Sequence, residues 1–130
     1  MKRWPVEFFA DDEGSQPVRD WLDSLPEEVR GRMLARVDLL AEHGPALDFP
    51  FTSQIEGRLR EIRLRVGRVR YRVLYFFDRT RTAILLHGFA KRTEAVEEAD
   101  KQIGRSRMDL HEARLEKRSR RGSDHERGRH

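Results

Sequence analysis

The chain contains no cysteine. That absence removes disulfides, thiolate nucleophiles and cysteine zinc sites at once, and it suits a reducing cytoplasm. No apolar run approaches the roughly 18 residues that a membrane span needs. The opening MKRWPVEFF begins with two cations, as a signal peptide does. Pro5 and Glu7 interrupt it before an apolar region can form, so export is not expected and a cytoplasmic location is. No P-loop or dinucleotide-binding glycine motif occurs. No serine stands in a nucleophile-elbow context. The histidines are His43, His87, His111, His125 and His130, and none pairs with another at metal-ligand spacing on a predicted rigid element. Hydrophobic residues make up only 37% of the 130, so one small domain is expected, with room for a partner that covers apolar surface.

What the chain has in quantity is charge. Charged residues reach 38%, with a formal net charge of +4. The balance is uneven along the sequence. Residues 1–50 hold 6 Lys/Arg against 11 Asp/Glu, whereas residues 51–93 hold 11 against 3. An acidic run, EAVEEAD, follows at residues 94–100. The cationic excess coincides with the stretch that reads as the core sheet, which is an electrostatic footprint for a polyanion.

The local patterns predict an α+β domain with the order β-α-α-β-β-β-α. VEFFA (residues 6–10) is a short strand candidate. Val18, Trp21, Leu22 and Leu25 share one helical face. Ser24 to Glu27 reads as a capping box with proline in the first turn of the next helix. That helix carries Val29, Met33, Val37 and Leu40 at spacings of three and four, with Leu34 and Ala41 widening the stripe, and ends at Gly44-Pro45. PALDFPFTSQIEG reads as a loop. LREIRLR (59–65), VRYRVLYFF (69–77) and AILLHGF (83–89) then form three strands of a small antiparallel meander. A last helix is expected from Glu94, with Val96, Ala99 and Ile103 on one face. The expected domain is 1–116. Residues 117–130 hold no aliphatic side chain and read as a basic disordered tail.

Strand parity sorts the charges. Glu61, Arg63 and Arg65 share one face, as do Arg68, Arg70 and Arg72 on the next strand. The simplest packing places both rows on one open face, with the helices covering the other. Opposed arginines repel, and a bound anion relieves that repulsion. A plain solvated sheet face has the same alternation. His87 alone fits a packed or surface histidine, Lys91 and Arg92 alone fit solubilising charges at a strand end, and Glu61 alone fits a neutraliser of a neighbouring arginine.

GRLREIRLR, GRVRYRVLYFF and ILLHGFAKRT, in this order, resemble the RelE/ParE superfamily of type II toxins, in its HigB-like, phage-derived branch. The carrying motifs are Leu59–Arg63, Tyr71–Phe76, Leu85–Arg92 and Glu94–Ala99. The resemblance spans roughly residues 4 to 110. TEAVEE departs from the branch by lacking the proline that usually starts the last helix.

The resemblance implies a small antiparallel sheet with a helical hairpin before it and a helix after. It implies cleavage of mRNA on the ribosome, arresting translation. It also implies a cognate HigA-like helix-turn-helix antitoxin in a toxin–antitoxin hetero-oligomer. By position it marks Arg72 as the scissile-phosphate contact, Arg63, Arg65, Lys91 and Arg92 as its basic neighbours, and His87 as the branch's HGF histidine. Such cleavage uses the substrate's own 2′-OH and needs no metal or other cofactor. It needs cations at the phosphate and groups that move two protons. Arg72 is expected to stabilise the phosphorane, and His87, Glu61 or Lys91 to move protons. Arg63, Arg65, Arg68, Arg70 and Arg92 are expected to bind RNA. Cations near His87 are expected to lower its pKa. Two other readings stay open: a ParE-like gyrase inhibitor and a non-catalytic RNA- or ribosome-binding domain.

Overall fold

A computed structural model describes residues 3–127, with side chains described as far as residue 122. The order is β1 (Val6–Phe8), α1 (Pro17–Ser24), α2 (Glu27–His43), a 3-10 turn (Gly44–Ala46), β2 (Thr52–Glu56), β3 (Leu59–Val66), β4 (Val69–Phe77), β5 (Ala83–Lys91) and α3 (Glu98–Arg127). The α+β reading holds, with two additions to the sheet. Its five strands run β1-β5-β4-β3-β2. β2 occupies part of the expected loop and pairs antiparallel with β3, and β1 pairs parallel with β5, so the sheet is mixed.

The helical hairpin forms where its stripes predict. Val18, Leu22, Val29, Met33 and Leu40 are buried against Ile62, Leu64, Val73, Tyr75 and Leu85. Each such side chain contributes about 1.5–3 kcal/mol on burial. Leu34 lies off the stripe and is exposed. The capping box does not form: Pro26 occupies the N-cap of α2, and the Ser24 hydroxyl donates to the Trp21 carbonyl at 2.6 Å, finishing α1. α2 stops at Gly44, whose N–H still bonds the Leu40 carbonyl; its positive φ of 59° then turns the chain out of the helix, and the Trp4 ring packs directly on its Cα.

The expectation of helices on one face only is corrected. α3 crosses the opposite face and closes a second core of Leu59, Leu74, Phe76, Ile84 and Leu86, with Val96 and Met108 from its side. Gly104 makes the close approach over Leu59 and Leu74. The cationic row therefore shares its face with a helix: Arg72 is buried, Arg63 and Arg70 are half-buried, and Arg65, toward the β3–β4 turn, is exposed.

α3 begins at Glu98 instead of Glu94, because residues 92–97 serve as the link that carries the chain off β5. It continues as helix to Arg127, through most of the segment read as disordered. Local helical bonds, helped by an Arg120–Glu116 pair at 2.6 Å, sustain it where no core is available. The remaining expected tail, residues 128–130, lies outside the described residues.

Candidate active site

Strand register assembles the cations. β3 and β4 pair Arg63 with Arg72 and Arg65 with Arg70, and β4 and β5 pair Arg70 with Lys91 and Arg72 with Phe89. Arg63, Arg65, Arg70 and Arg72 all line one cavity of about 260 Å³. Arg68 does not join them. It lies in the turn before β4 and is exposed. Arg92 follows β5 and is exposed too, but its carbonyl accepts from Arg70 Nη1 at 2.8 Å, steadying that guanidinium.

Five lining residues come from outside the predicted set: Arg36, Phe49, Pro50, Leu64 and Glu94. Arg36 reaches in from α2, and Phe49 from the loop before β2. The Arg63 N–H donates to the Phe51 carbonyl at 2.8 Å, which draws that loop against β3. Arg36 lies over the Phe51 ring and Arg63 over the Phe49 ring, each with its guanidinium carbon 4.7 Å from the centroid. Burial, then repulsion from Arg32, lowers the pKa of Arg36. The only signal for Arg36 in the sequence was a cation on the flank of the α2 stripe. The signal for Phe49 was an aromatic beside a loop proline.

Glu61 sits under this floor. It is 3% exposed and Arg72 4%. Arg72 Nη1 donates to Glu61 Oε1 at 2.5 Å, Ser53 Oγ donates to Glu61 Oε2 at 2.7 Å, and Arg63 Nε stands 3.9 Å from that second oxygen. The carboxylate holds the arginines in place from below.

His87 forms a separate cluster and is not among the cavity's lining residues. A β-bulge explains its position: Leu74 pairs with His87 while Tyr75 pairs with Leu85, so Leu86 is the extra residue. Leu86 and His87, expected on opposite faces, therefore both turn to the α3 side. There His87 Nε2 hydrogen-bonds Asp100 Oδ1 at 2.8 Å, and the ring stacks on Phe89 at 5.3 Å. Gly88 is pressed against Trp21 on the other face. The pKa of His87 is lowered as expected, but burial is the main cause. Asp100 opposes that shift, and Arg107 and Lys91 add to it by repulsion. Lys91 Nζ is 3.1 Å from Glu97 and 3.6 Å from Asp100, and the Glu97 contact, with help from Asp100, raises its pKa. Glu94, in the same acidic run, pairs with Arg70 at 3.3 Å and reaches the cavity wall.

The arrangement offers a concavity of about 260 Å³ walled by guanidinium groups, with an imidazole of lowered pKa farther along the same sheet face. No helix among the described residues is long and apolar enough to cross a membrane.

Residues 20–109 match the family described as phage-derived protein Gp49-like. A 74-residue stretch is 34% identical to a Mycobacterium tuberculosis (strain H37Rv) protein named "Putative toxin HigB2". The match covers 53% of this chain and 37% of that protein, so the chain spans little more than a third of the relative's length. With well over half of its residues inside the family's match, and with the sheet and hairpin in place, the chain belongs to the phage-derived Gp49-like family, a family of the RelE/HigB toxin type.

Proposed function

We propose that this chain is the toxin of a type II toxin–antitoxin pair, and that it cleaves mRNA on the ribosome with the arginine cavity as its phosphate site. The observation that carries the reading is the convergence of five arginines, from α2, β3 and β4, on one concavity. Such a cluster repels itself and is relieved by a polyanion. Similarity to a protein named as a toxin supports the biological role. A helix-turn-helix antitoxin is the expected inhibitor, and it would silence the chain by covering this cavity.

The reaction is a transesterification. The 2′-oxygen bonds to phosphorus, the bond to the 5′-oxygen breaks, and a 2′,3′-cyclic phosphate and a 5′-hydroxyl result. One proton leaves the 2′-OH and one reaches the 5′-oxygen. Arg63, Arg65 and Arg70 meet the phosphate oxygens, since planar guanidinium groups match them and stay charged. Arg72, anchored on Glu61, stabilises the charge that develops at phosphorus. His87 takes the 2′-OH proton and returns one to the 5′-oxygen, which requires the bound RNA to run from the cavity along the sheet face to the imidazole held by Asp100. Glu61 acts in this reading as an anchor, a role that its bonds to Arg72 and Ser53 support.

One observation favours the binding-only reading: Arg72 is tied to Glu61 and His87 to Asp100, so both are already partnered. Primer extension on translated and untranslated mRNA after induction separates the possibilities. Codon-phased cuts that vanish with Arg65→Ala/Arg70→Ala support the nuclease. Arrest without cuts supports the binder, and loss of DNA supercoiling supports a gyrase poison.

A further inference from the structure

Phe49 is the most exposed large apolar side chain among the described residues, at 68%, and it stands on the rim of the arginine cavity. Its loop is fixed. Asp48 Oδ1 accepts from the Phe49 N–H at 2.8 Å, the Asp48 carbonyl accepts from the Phe51 N–H at 3.0 Å, and Thr52 Oγ1 donates to the Leu47 carbonyl at 2.7 Å. The ring is backed by the Arg63 guanidinium, which holds it beside the cations of the cavity. Besides Phe49, only Pro50 and Leu64 among the cavity's lining residues are apolar, and the rest are charged, which suits a polyanion better than an apolar protein face. Two buried donors beside Phe49, Arg63 Nε and Arg36 Nη1, have no hydrogen-bond partner among the described residues. The guanidinium groups of Arg36, Arg65 and Arg70 line the same concavity and supply the cationic wall that an anion would meet.

We propose that Phe49 is the stacking wall of a nucleotide subsite. One unpaired nucleobase of single-stranded RNA lies on the Phe49 ring, which Arg63 supports from behind, and the adjoining phosphate rests on Arg65, Arg70 and Arg36. The inference rests on reading the cavity as an RNA site and adds the element that selects a base-bearing, single-stranded ligand. Stacking accepts every base, so this subsite supplies affinity and strand registration without sequence choice.

The test uses the purified full chain and two fluorescein-labelled single-stranded hexaribonucleotides, one with bases and one abasic. Phe49→Ala, Phe49→Trp and Arg65→Ala/Arg70→Ala are compared, each checked for folding by circular dichroism. The expected wild-type preference for the base-bearing oligomer is roughly 5- to 150-fold, as one base–aromatic stack gives. Phe49→Ala removes that preference and leaves abasic binding unchanged, Phe49→Trp retains it, and the double arginine variant weakens both oligomers together. Equal wild-type affinity for the two oligomers, or wild-type discrimination by Phe49→Ala, overturns the stacking role while leaving the phosphate site intact. Failure of the wild type to bind either oligomer overturns both.

Discussion

Arg72 and Glu61 form a buried ion pair across β3 and β4, with Nη1 of the arginine 2.5 Å from Oε1 of the glutamate. Glu61 spends its second oxygen on Ser53. Removing one partner leaves the other charged and dry, so Glu61→Ala and Arg72→Ala should each cost about 3–5 kcal/mol. A double Glu61→Leu/Arg72→Met chain should recover most of that loss, because buried pairs often do no better than apolar groups of similar volume. Urea unfolding of the two single variants and the double variant checks this. Single variants as stable as wild type would show that the pair is open in solution. The same numbers govern how an inactive Arg72→Ala protein is read: its lost activity reports on chemistry only where its fold survives.

Gly88 should tolerate no side chain. A Cβ there would fall inside the Trp21 ring, which packs the hairpin onto β5. Gly88→Ala must displace Trp21 or flatten the neighbouring bulge, and overpacking of this kind costs about 1–3 kcal/mol. A paired Gly88→Ala/Trp21→Leu chain should regain part of it. Thermal melts of both, with a drop of several degrees for the single variant only, are the expected outcome. A single variant melting with the wild type would mean that the Trp21 contact is loose.

These two sites show where the sequence was legible and where it was not. β3 and β4 alternate strictly, so parity alone placed Glu61, Arg63, Arg65, Arg70 and Arg72 on one face. The hairpin was legible because Val18, Leu22, Val29, Met33 and Leu40 keep a helical period. β5 misled because a bulge at Leu86 changes parity without any residue that announces it. β2 was hidden by the proline-rich loop before it and by its edge position, which asks for little apolar alternation. Arg36 and Phe49 were missed for a different reason. Their nearness to Arg63 is a tertiary fact, set by how α2 and the following loop fold back on β3.

His87 should make the protein sensitive to mild acid. Its pKa is lowered in the folded chain, chiefly by burial, from the ordinary 6.5. A depressed pKa means that the unfolded chain takes up the proton first. The associated stability is present above about pH 6.5 and is lost as pH falls from there through the folded-state value. Asp100→Asn removes the group that opposes the shift and should move the His87 titration further down. NMR titration of the His87 ring in both chains tests the direction. A folded-state pKa above the ordinary value in wild type, or an upward move in Asp100→Asn, would contradict the assignment. If His87 carries the proton, the acid limb of the cleavage profile should follow the same downward move.

The last stretch of α3 should be dispensable for the fold but not for encounter. From Lys117 to the end the sequence holds six Lys/Arg and two Asp/Glu, so its removal takes the formal net charge from +4 to zero. The side chains of residues 117–122 are exposed, and none of them joins either core or lines the arginine cavity. Truncation after Glu116 should therefore change unfolding free energy by no more than about 0.5 kcal/mol, as exposed changes do. Association with single-stranded RNA should slow at low salt, because long-range attraction falls with net charge. The difference should close near 0.15 M salt, where the screening length is only about 8 Å. Stopped-flow binding at two ionic strengths, alongside urea melts, measures both. A rate deficit that persists unchanged at high salt would mean that the end of α3 touches the ligand directly, and would extend the RNA site along the helix.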